Sequence, residues 1–370
     1  MDTQGGTMKK FLSKAASVAG LTAAFIQGGV AEPTVVAGDS CCATVGDCGV
    51  DCSQPMHFGS GCCPTDVCSP WYAHRSGAYG EFLYLSPGNS DILYAREQTD
   101  PQPPGAGSPT GPLGIVNIDE SAGYRFGVTK CRDACSSWYA GFTRWDGAST
   151  HSITAIGQNV LDPVLLHPST LTNGATGQQS NATEWMSFQF IDAGMRRIYS
   201  AGPSHAINWS AGMRYGQLNQ NLSVNQTIST PTGLTNLSTD IDFYGVGFLA
   251  GLDAERQNAC TGLLVYAKSS VSMLAGDWRA DSRQTNQFGG GVIASRYEDF
   301  RLTPVLEGEV GAGWQSESGK VRLTGGFLAS GWFNSISTRD YIQSFNEGNY
   351  VDMNDTISFS GLVTRLELRR

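Results

Sequence analysis

Residues 301–333 read RLTPVLEGEVGAGWQSESGKVRLTGGFLASGWF, and their alternation points to two strands joined by a tight polar turn. In the first arm Leu302, Pro304, Leu306, Val310 and Ala312 share one face, while Thr303, Glu307, Glu309 and Gln315 share the other. Ser316 to Gly319 makes the turn. In the second arm Val321, Leu323, Phe327, Ala329 and Phe333 alternate with Arg322, Thr324 and Ser330. Each arm exceeds the roughly 9–11 residues that a tilted strand needs to cross a bilayer. A soluble hairpin with one buried face shows the same period, so the rest of the chain decides.

Composition narrows the choice. Only 15% of the 370 residues are charged, well below the roughly 25% of average soluble proteins. Beyond the N-terminus no apolar run approaches the roughly 18 residues of a membrane helix, which excludes a helical membrane protein. A net charge of −9, with lysines after Lys14 only at 130, 268 and 320, leaves no basic patch for nucleic acid. Residues 1–31 carry Lys9, Lys10 and Lys14, an apolar stretch from Ala15 to Ile26 and small residues before Ala31, the pattern of a Sec signal peptide, with Met8 as the expected true start. Residues 32–70 form a cysteine-rich segment on the periplasmic side, holding Cys41, Cys42, Cys48, Cys52, Cys62, Cys63 and Cys68. In an oxidising compartment such residues are disulfide candidates, with Cys131 and Cys135 across the turn CRDAC. Zinc is the rival for the N-terminal group because of His57, but the spacing matches no standard ligand frame. The odd count leaves one thiol for Cys260, another chain in a homo-oligomer, or an envelope component.

From residue 71 to 370 ten segments have strand length and alternation, near 78–86, 122–130, 137–146, 184–195, 206–217, 241–253, 261–274, 301–315, 320–333 and 355–368. Their connections alternate. Long polar stretches occupy 87–121, 147–183, 218–240, 275–300 and 334–354, with short links between. That asymmetry fits an all-β, transmembrane, antiparallel up-and-down β-barrel of about 10 strands, within a range of 8–12, with short periplasmic turns and long external loops. Tyr124, Phe126 and Val128 then face lipid opposite Arg125, and Trp209, Met213 and Tyr215 do so opposite Arg214. Trp138, Tyr139, Trp145, Trp185, Tyr215, Trp314 and Trp332 fall near strand ends, where an interfacial girdle is expected.

The runs DFYGVGFLAGLDAE, GLLVYAKSSVSMLAGDW, LTPVLEGEVGAGWQ and ISFSGLVTRLELRR together resemble the Legionella-type major outer membrane proteins, in the form abundant in planctomycete bacteria. The resemblance spans about residues 71–370 and implies a pore-forming barrel in the outer membrane of a Gram-negative-type bacterium. Two features depart from it: the cysteine-rich segment, and Arg369-Arg370 where an aromatic residue usually closes the last strand.

No catalytic constellation is apparent. The five histidines (His57, His74, His151, His167, His205) sit in no metal or nucleophile motif, and the pairs His151 with Asp146 and His167 with Asp162 are the nearest approach to a site. The sequence therefore calls for no enzyme, cofactor or metal. It supports either a porin-like passive diffusion channel for small solutes or ions, or a structural or adhesive surface barrel displaying long loops and anchored by its cysteine-rich segment. Outer-membrane lipid is the expected partner. Alternation assigns the pore lining to Arg125, Gln189, Arg214, Lys268, Glu307, Glu309, Arg322, Arg365 and Glu367, a set with a small basic excess from which weak anion preference is expected.

Overall fold

The computed structural model describes residues 70–99, 108–167, 178–229, 232–258, 261–287, 291–351 and 353–370. The expected signal peptide and the seven clustered cysteines lie outside the described residues, as does Cys260. Thirteen strands follow in chain order: β1 (Gly77–Gly88), β2 (Ile92–Gln98), β3 (Pro109–Val116), β4 (Ser121–Asp133), β5 (Ser136–Thr154), β6 (Val160–Asp162), β7 (Gln179–Ala201), β8 (His205–Ser229), β9 (Thr232–Gln257), β10 (Leu263–Asn286), β11 (Gly291–Gln315), β12 (Val321–Ser335) and β13 (Asp355–Arg369). Among the described residues one helix, α1 (Thr338–Glu347), precedes the last strand.

Ten of these strands close into an antiparallel barrel in the order β1-β13-β12-β11-β10-β9-β8-β7-β5-β4. Closure comes from β1, which pairs along its length with β13 on one side and for nine residues with β4 on the other. The ten barrel strands are the ten segments expected from alternation, and the organising hairpin is β11 with β12, in register from Val305↔Trp332 to Gln315↔Arg322. Both described ends and the tight turns after β4, β7, β9 and β11 share one mouth, the periplasmic one in outer-membrane barrels.

The outer face carries the lipid signature. Along β11 the outward residues run Trp314, Ala312, Val310, Leu306, Leu302 and Phe300, then change to Glu298 and Arg296. Fifteen residues from Trp314 to Phe300 span about 46 Å of strand, or about 30–35 Å across a membrane at a tilt of about 45°. Neighbouring strands switch at the same height: Tyr244 gives way to Asp242 on β9, and Tyr215 to Gln217 on β8. Phe248, 75% exposed, lies in the middle of this band.

Beyond the switch the structure differs from the sequence expectation. Stretches 218–240 and 275–300 are not long loops; β8 to β11 continue through them, with pairing that runs as far as Ser229↔Thr232 and Asn286↔Gly291. The alternation persists there, with Leu218, Leu222 and Val224 inward and Asn219, Asn221 and Asn225 outward. Because the outer face is now polar, a pattern tuned to lipid contact fades although the strand does not. The ladder is bound instead by polar cross-strand pairs such as Asn221 with Asp240, Asn225 with Asn236, and Arg296 with Asp281. The other external connections carry structure of their own. Strands β2, β3 and β6 form a small sheet. Helix α1 starts at Ser337, whose hydroxyl accepts from the Asp340 N–H, and ends at Gly348 in the left-handed conformation.

Phe248→Arg is expected to lower the stability of the barrel folded into lipid vesicles by about 2–4 kcal/mol, whereas Asn221→Arg, beyond the lipid band, should change it by less than about 0.5 kcal/mol. Denaturant titration in vesicles separates the two; equal costs would place the lipid boundary wrongly.

Candidate functional site

The lumen gathers the chain's unusual chemistry. Its periplasmic half is an ionic layer built from cross-strand register. Glu81 on β1 stands opposite Arg125 on β4 and Arg365 on β13, and its buried carboxylate accepts from both, at 2.7 and 3.1 Å. Register likewise sets Asp192 against Arg214 and Lys268 against Glu309, at 2.7 and 2.8 Å. Other bonds cross the lumen between strands that are not neighbours. Arg214 on β8 donates to Glu307 on β11 at 2.5 Å, and Arg125 lies 3.7 and 3.8 Å from Glu307 and Glu309. Nearer the mouth, Glu255 joins Arg322 and Arg196, while Glu367 joins Arg365 and Arg369.

Eight of the nine expected lumen residues are therefore inward. Gln189 is not; Phe188 and Phe190 take the inner face of β7, and Gln189 pairs with Gln217 on the outer face at the lipid boundary. The alternation was read one residue out of phase there, because a polar pair outside and aromatic rings inside invert the usual pattern. Sequence reading also missed Glu81, Asp192, Arg196, Asp253, Glu255 and Arg369, although the outward Phe82, Ile191 and Leu368 beside three of them were the available signal. With these included, seven cations face seven carboxylates, so the expected basic excess disappears. Between the charges lies a cavity of about 180 Å³, whose lining includes Tyr79, Arg125, Tyr139, Arg214 and Lys268. Glycine makes room for one of these side chains: a Cβ at Gly127 or Gly141 would strike the Tyr79 hydroxyl, and the Tyr79 ring lies under the Arg365 guanidinium at 3.8 Å.

Above the ionic layer the lumen is aromatic. Trp145, Phe188, Phe190, Phe243, Trp278, Trp332 and Phe359 are all buried inside the barrel. Several of their contacts span the lumen, as between Trp145 on β5 and Phe359 on β13, with centroids 5.1 Å apart, and Phe190 on β7 and Trp332 on β12, at 5.0 Å. This corrects three members of the expected girdle. Trp145 and Trp332 are inside, as is Tyr139, while Trp138 and Trp314 are exposed on the outer face and Trp185 and Tyr215 are half-buried there. An aromatic ring near a strand end suits a headgroup region or a barrel core equally, and only its parity against the neighbouring charges tells them apart.

Both mouths are covered. At the external one, Ile92, Tyr94, Val116 and Leu161 of the small sheet pack on Ile153, Leu222 and Leu237 of the wall, together with Ile342 of α1. Tyr341 of α1 enters the lumen and donates to the Ala280 carbonyl at 2.9 Å. Burial, with Asp355 adding to it, pushes the Asp340 carboxyl up to about 6. At the periplasmic mouth residues 70–76 lie across the opening. Trp71 donates to the Pro203 carbonyl, Arg75 to that of Ser318, and the His74 ring bridges Ser137 and Asn208 at 2.6 and 3.1 Å. Burial first, and the Arg196 charge second, hold the His74 imidazole down at about 4.

The structure does not assemble the two histidine pairs considered from sequence. The His151 ring is hydrogen-bonded to Tyr94 at 2.7 Å, while Asp146 pairs with Arg144 and Asp162 with Arg96.

Comparison with known proteins adds one family. The family model described as Legionella pneumophila major outer membrane protein precursor matches residues 80–369. No curated protein matches the chain. Among solved structures the chain is similar to the outer membrane protease OmpT from Escherichia coli, at 8% identity, covering 80% of this chain and 97% of that one, with a TM-score of 0.44. It is also similar to the toluene transporter TodX of P. putida, at 10% identity, covering 80% and 90%, TM-score 0.28. The anion-selective porin from Comamonas acidovorans matches at 9% identity, covering 80% and 99%, TM-score 0.19.

Glu81→Ala should destabilise the barrel by about 3–5 kcal/mol, because it leaves two buried guanidinium groups short of a partner; Glu298→Ala, on an exposed ion pair, should cost under about 1 kcal/mol. Denaturant midpoints in vesicles give both values. The His74 shift predicts acid release of the docked segment. With a folded value near 4 against about 6.5 unfolded, its contribution is fully present above pH 6.5 and is lost as pH falls toward 4. Hydrogen exchange at residues 70–76 should accelerate across that window, and His74→Gln should flatten the dependence.

Proposed function

Because this chain belongs to the family of the Legionella pneumophila major outer membrane protein, and so resides in the outer membrane as a β-barrel, we propose that it acts as a structural surface barrel, closed to diffusion, that holds an ordered platform above the membrane. One observation carries the reading: the seven packed rings inside the lumen come from six wall strands and not from a removable plug. A loop or helix can swing out of a channel. Rings rooted in β5, β7, β9, β10, β12 and β13 leave the axis only if the wall itself deforms. A ten-stranded barrel lies just above the eight-stranded size at which side chains fill the interior, so such packing is what its diameter favours.

The platform supports the same reading. From Thr232 to Phe243 the ribbon adds twelve residues, about 40 Å of strand, outside the lipid band, and its outer face carries Asn236, Ser238, Asp240 and Asp242. Long ordered strands hold a surface at fixed height, which loose loops do not. This reading assigns the chain no reaction. The passive-channel alternative requires solute to pass an aromatic layer and a charge-neutral ionic layer in series.

Planar-bilayer recording tests the choice. Folded wild-type protein, with insertion verified by vesicle flotation and heat-modifiable migration, should show no stepwise conductance, whereas the triple variant F188A/F190A/W332A should conduct or leak. Reproducible ohmic steps from the wild type would restore the diffusion channel.

A further inference from the structure

The two ends of the barrel carry charge differently. Beyond the external lipid boundary the outer face mixes signs: Arg279 lies 3.9 Å from Glu298, and Arg296 pairs with Glu298 and approaches Asp281. The periplasmic end gathers cations from segments far apart in sequence. Arg370 and Lys130 flank the start of β1, because the Arg370 N–H donates to the Ser76 carbonyl at 2.7 Å while Gly77 stands opposite Thr129. Lys320 is next along the rim, its carbonyl accepting from the Arg369 N–H at 2.7 Å. Lys130, Lys320 and Arg370 are exposed, and among the described residues none of the three side chains forms an ion pair. Across β4, β1, β13 and β12 they make a row about 15 Å long. Of the acidic side chains beside the row, Asp133 is engaged by the Cys135 N–H and the Ser136 hydroxyl, and Glu317 sits in the turn before Lys320.

Directly above this row the lipid-facing wall is hollow. On β1 the outward residues are Ala78 and Gly80, and a Cβ at Gly80 would meet open space. Two ridges flank them, each side chain about half exposed: Val128 and Phe126 on β4, and Leu368 and Leu366 on β13, standing opposite Ala78 and Gly80 from either side. Phe82 closes the upper end, about 13 Å from Ala78. Trp138, opposite Lys130 and exposed on the outer face, sets the lower end at the headgroup level.

We propose that this furrow and the three cations together form a binding site for a phospholipid of net negative headgroup charge in the periplasmic leaflet. Its phosphate sits among Lys130, Lys320 and Arg370, and the first carbons of an acyl chain lie over Ala78 and Gly80. Strand parity favours a lipid over a soluble anion, since Lys130 and Arg370 continue the outward rows of Phe126 with Val128 and Leu366 with Leu368 rather than facing the lumen. A soluble anion gains nothing from the ridges. A zwitterionic headgroup brings a cation that the row repels, so the charge excess selects for net negative lipid. The site is independent of whether the lumen conducts.

Native mass spectrometry of the folded barrel, released from micelles holding equal amounts of phosphatidylglycerol and phosphatidylethanolamine with identical acyl chains, tests this. The wild type should retain phosphatidylglycerol over phosphatidylethanolamine by about fivefold or more, the scale set by a single cation at an anionic surface. The variant K130Q/K320Q/R370Q, checked for heat-modifiable migration, should retain the two equally. G80W, which fills the furrow without removing a charge, should lower retention of both. R256Q, which removes an exposed cation on β9 across the barrel, should keep the wild-type ratio. No preference in the wild type, a preference that survives the triple substitution, unchanged retention in G80W, or equal loss in R256Q would each overturn the proposal. Displacement of the lipid by excess inorganic phosphate would also overturn it, by marking a site for a free anion.

Discussion

The structure depends on the two ladders of β1, one to β13 and one to β4. Within hydrocarbon an open sheet edge would leave a row of amide groups without partners at several kcal/mol each, so a strand set that did not close could not span the membrane. Closure at ten strands then fixes the interior width. Ten strands lie just above the roughly eight at which side chains fill the interior and well below the roughly sixteen to eighteen that leave an aqueous channel. The chain fills the lumen with its longest side chains: arginine and glutamate in the periplasmic half, tryptophan and phenylalanine above.

The ionic layer follows from this geometry. Burying seven cations and seven carboxylates is tolerable only when each charge finds a partner at hydrogen-bond distance. Register provides the first set of partners, as for Glu81 between Arg125 and Arg365, and the narrow lumen provides the second, as for Arg214 with Glu307. The balance leaves the layer without net charge although so many ionisable side chains line the barrel axis. Its charges are spent on one another. At the boundary the two layers interlock, with the Arg214 guanidinium over the Phe190 ring at 4.1 Å.

Closure at the periplasmic mouth and order at the external face are opposite consequences of where the strands end. On the periplasmic side the turns are short, so the docked residues 70–76 meet backbone carbonyls of Ala134, Pro203 and Ser318 at once. On the external side the strands outrun the membrane, and their inner face, still apolar at Leu222 and Leu237, requires cover that the small sheet and α1 provide. The platform is thus a second hydrophobic core raised on the first.

The sequence by itself determined the class of fold, the number of barrel strands and the facing of eight of nine lumen residues, because a period of two is local and lipid on one side makes it legible. It also placed Leu323 outward against Arg322, and Phe126 against Arg125, as the structure has them. Only the tertiary structure decided how the lumen is packed. That depends on which residues from opposite walls meet, and alternation along one strand carries no information about the strand across the barrel. Trp332 shows the difference: its position near a strand end suited an interfacial ring, yet Phe190 on the far wall stacks on it inside. Glu81 shows it again, since one carboxylate on β1 takes its meaning from arginines 44 and 284 residues away, brought together by closure alone.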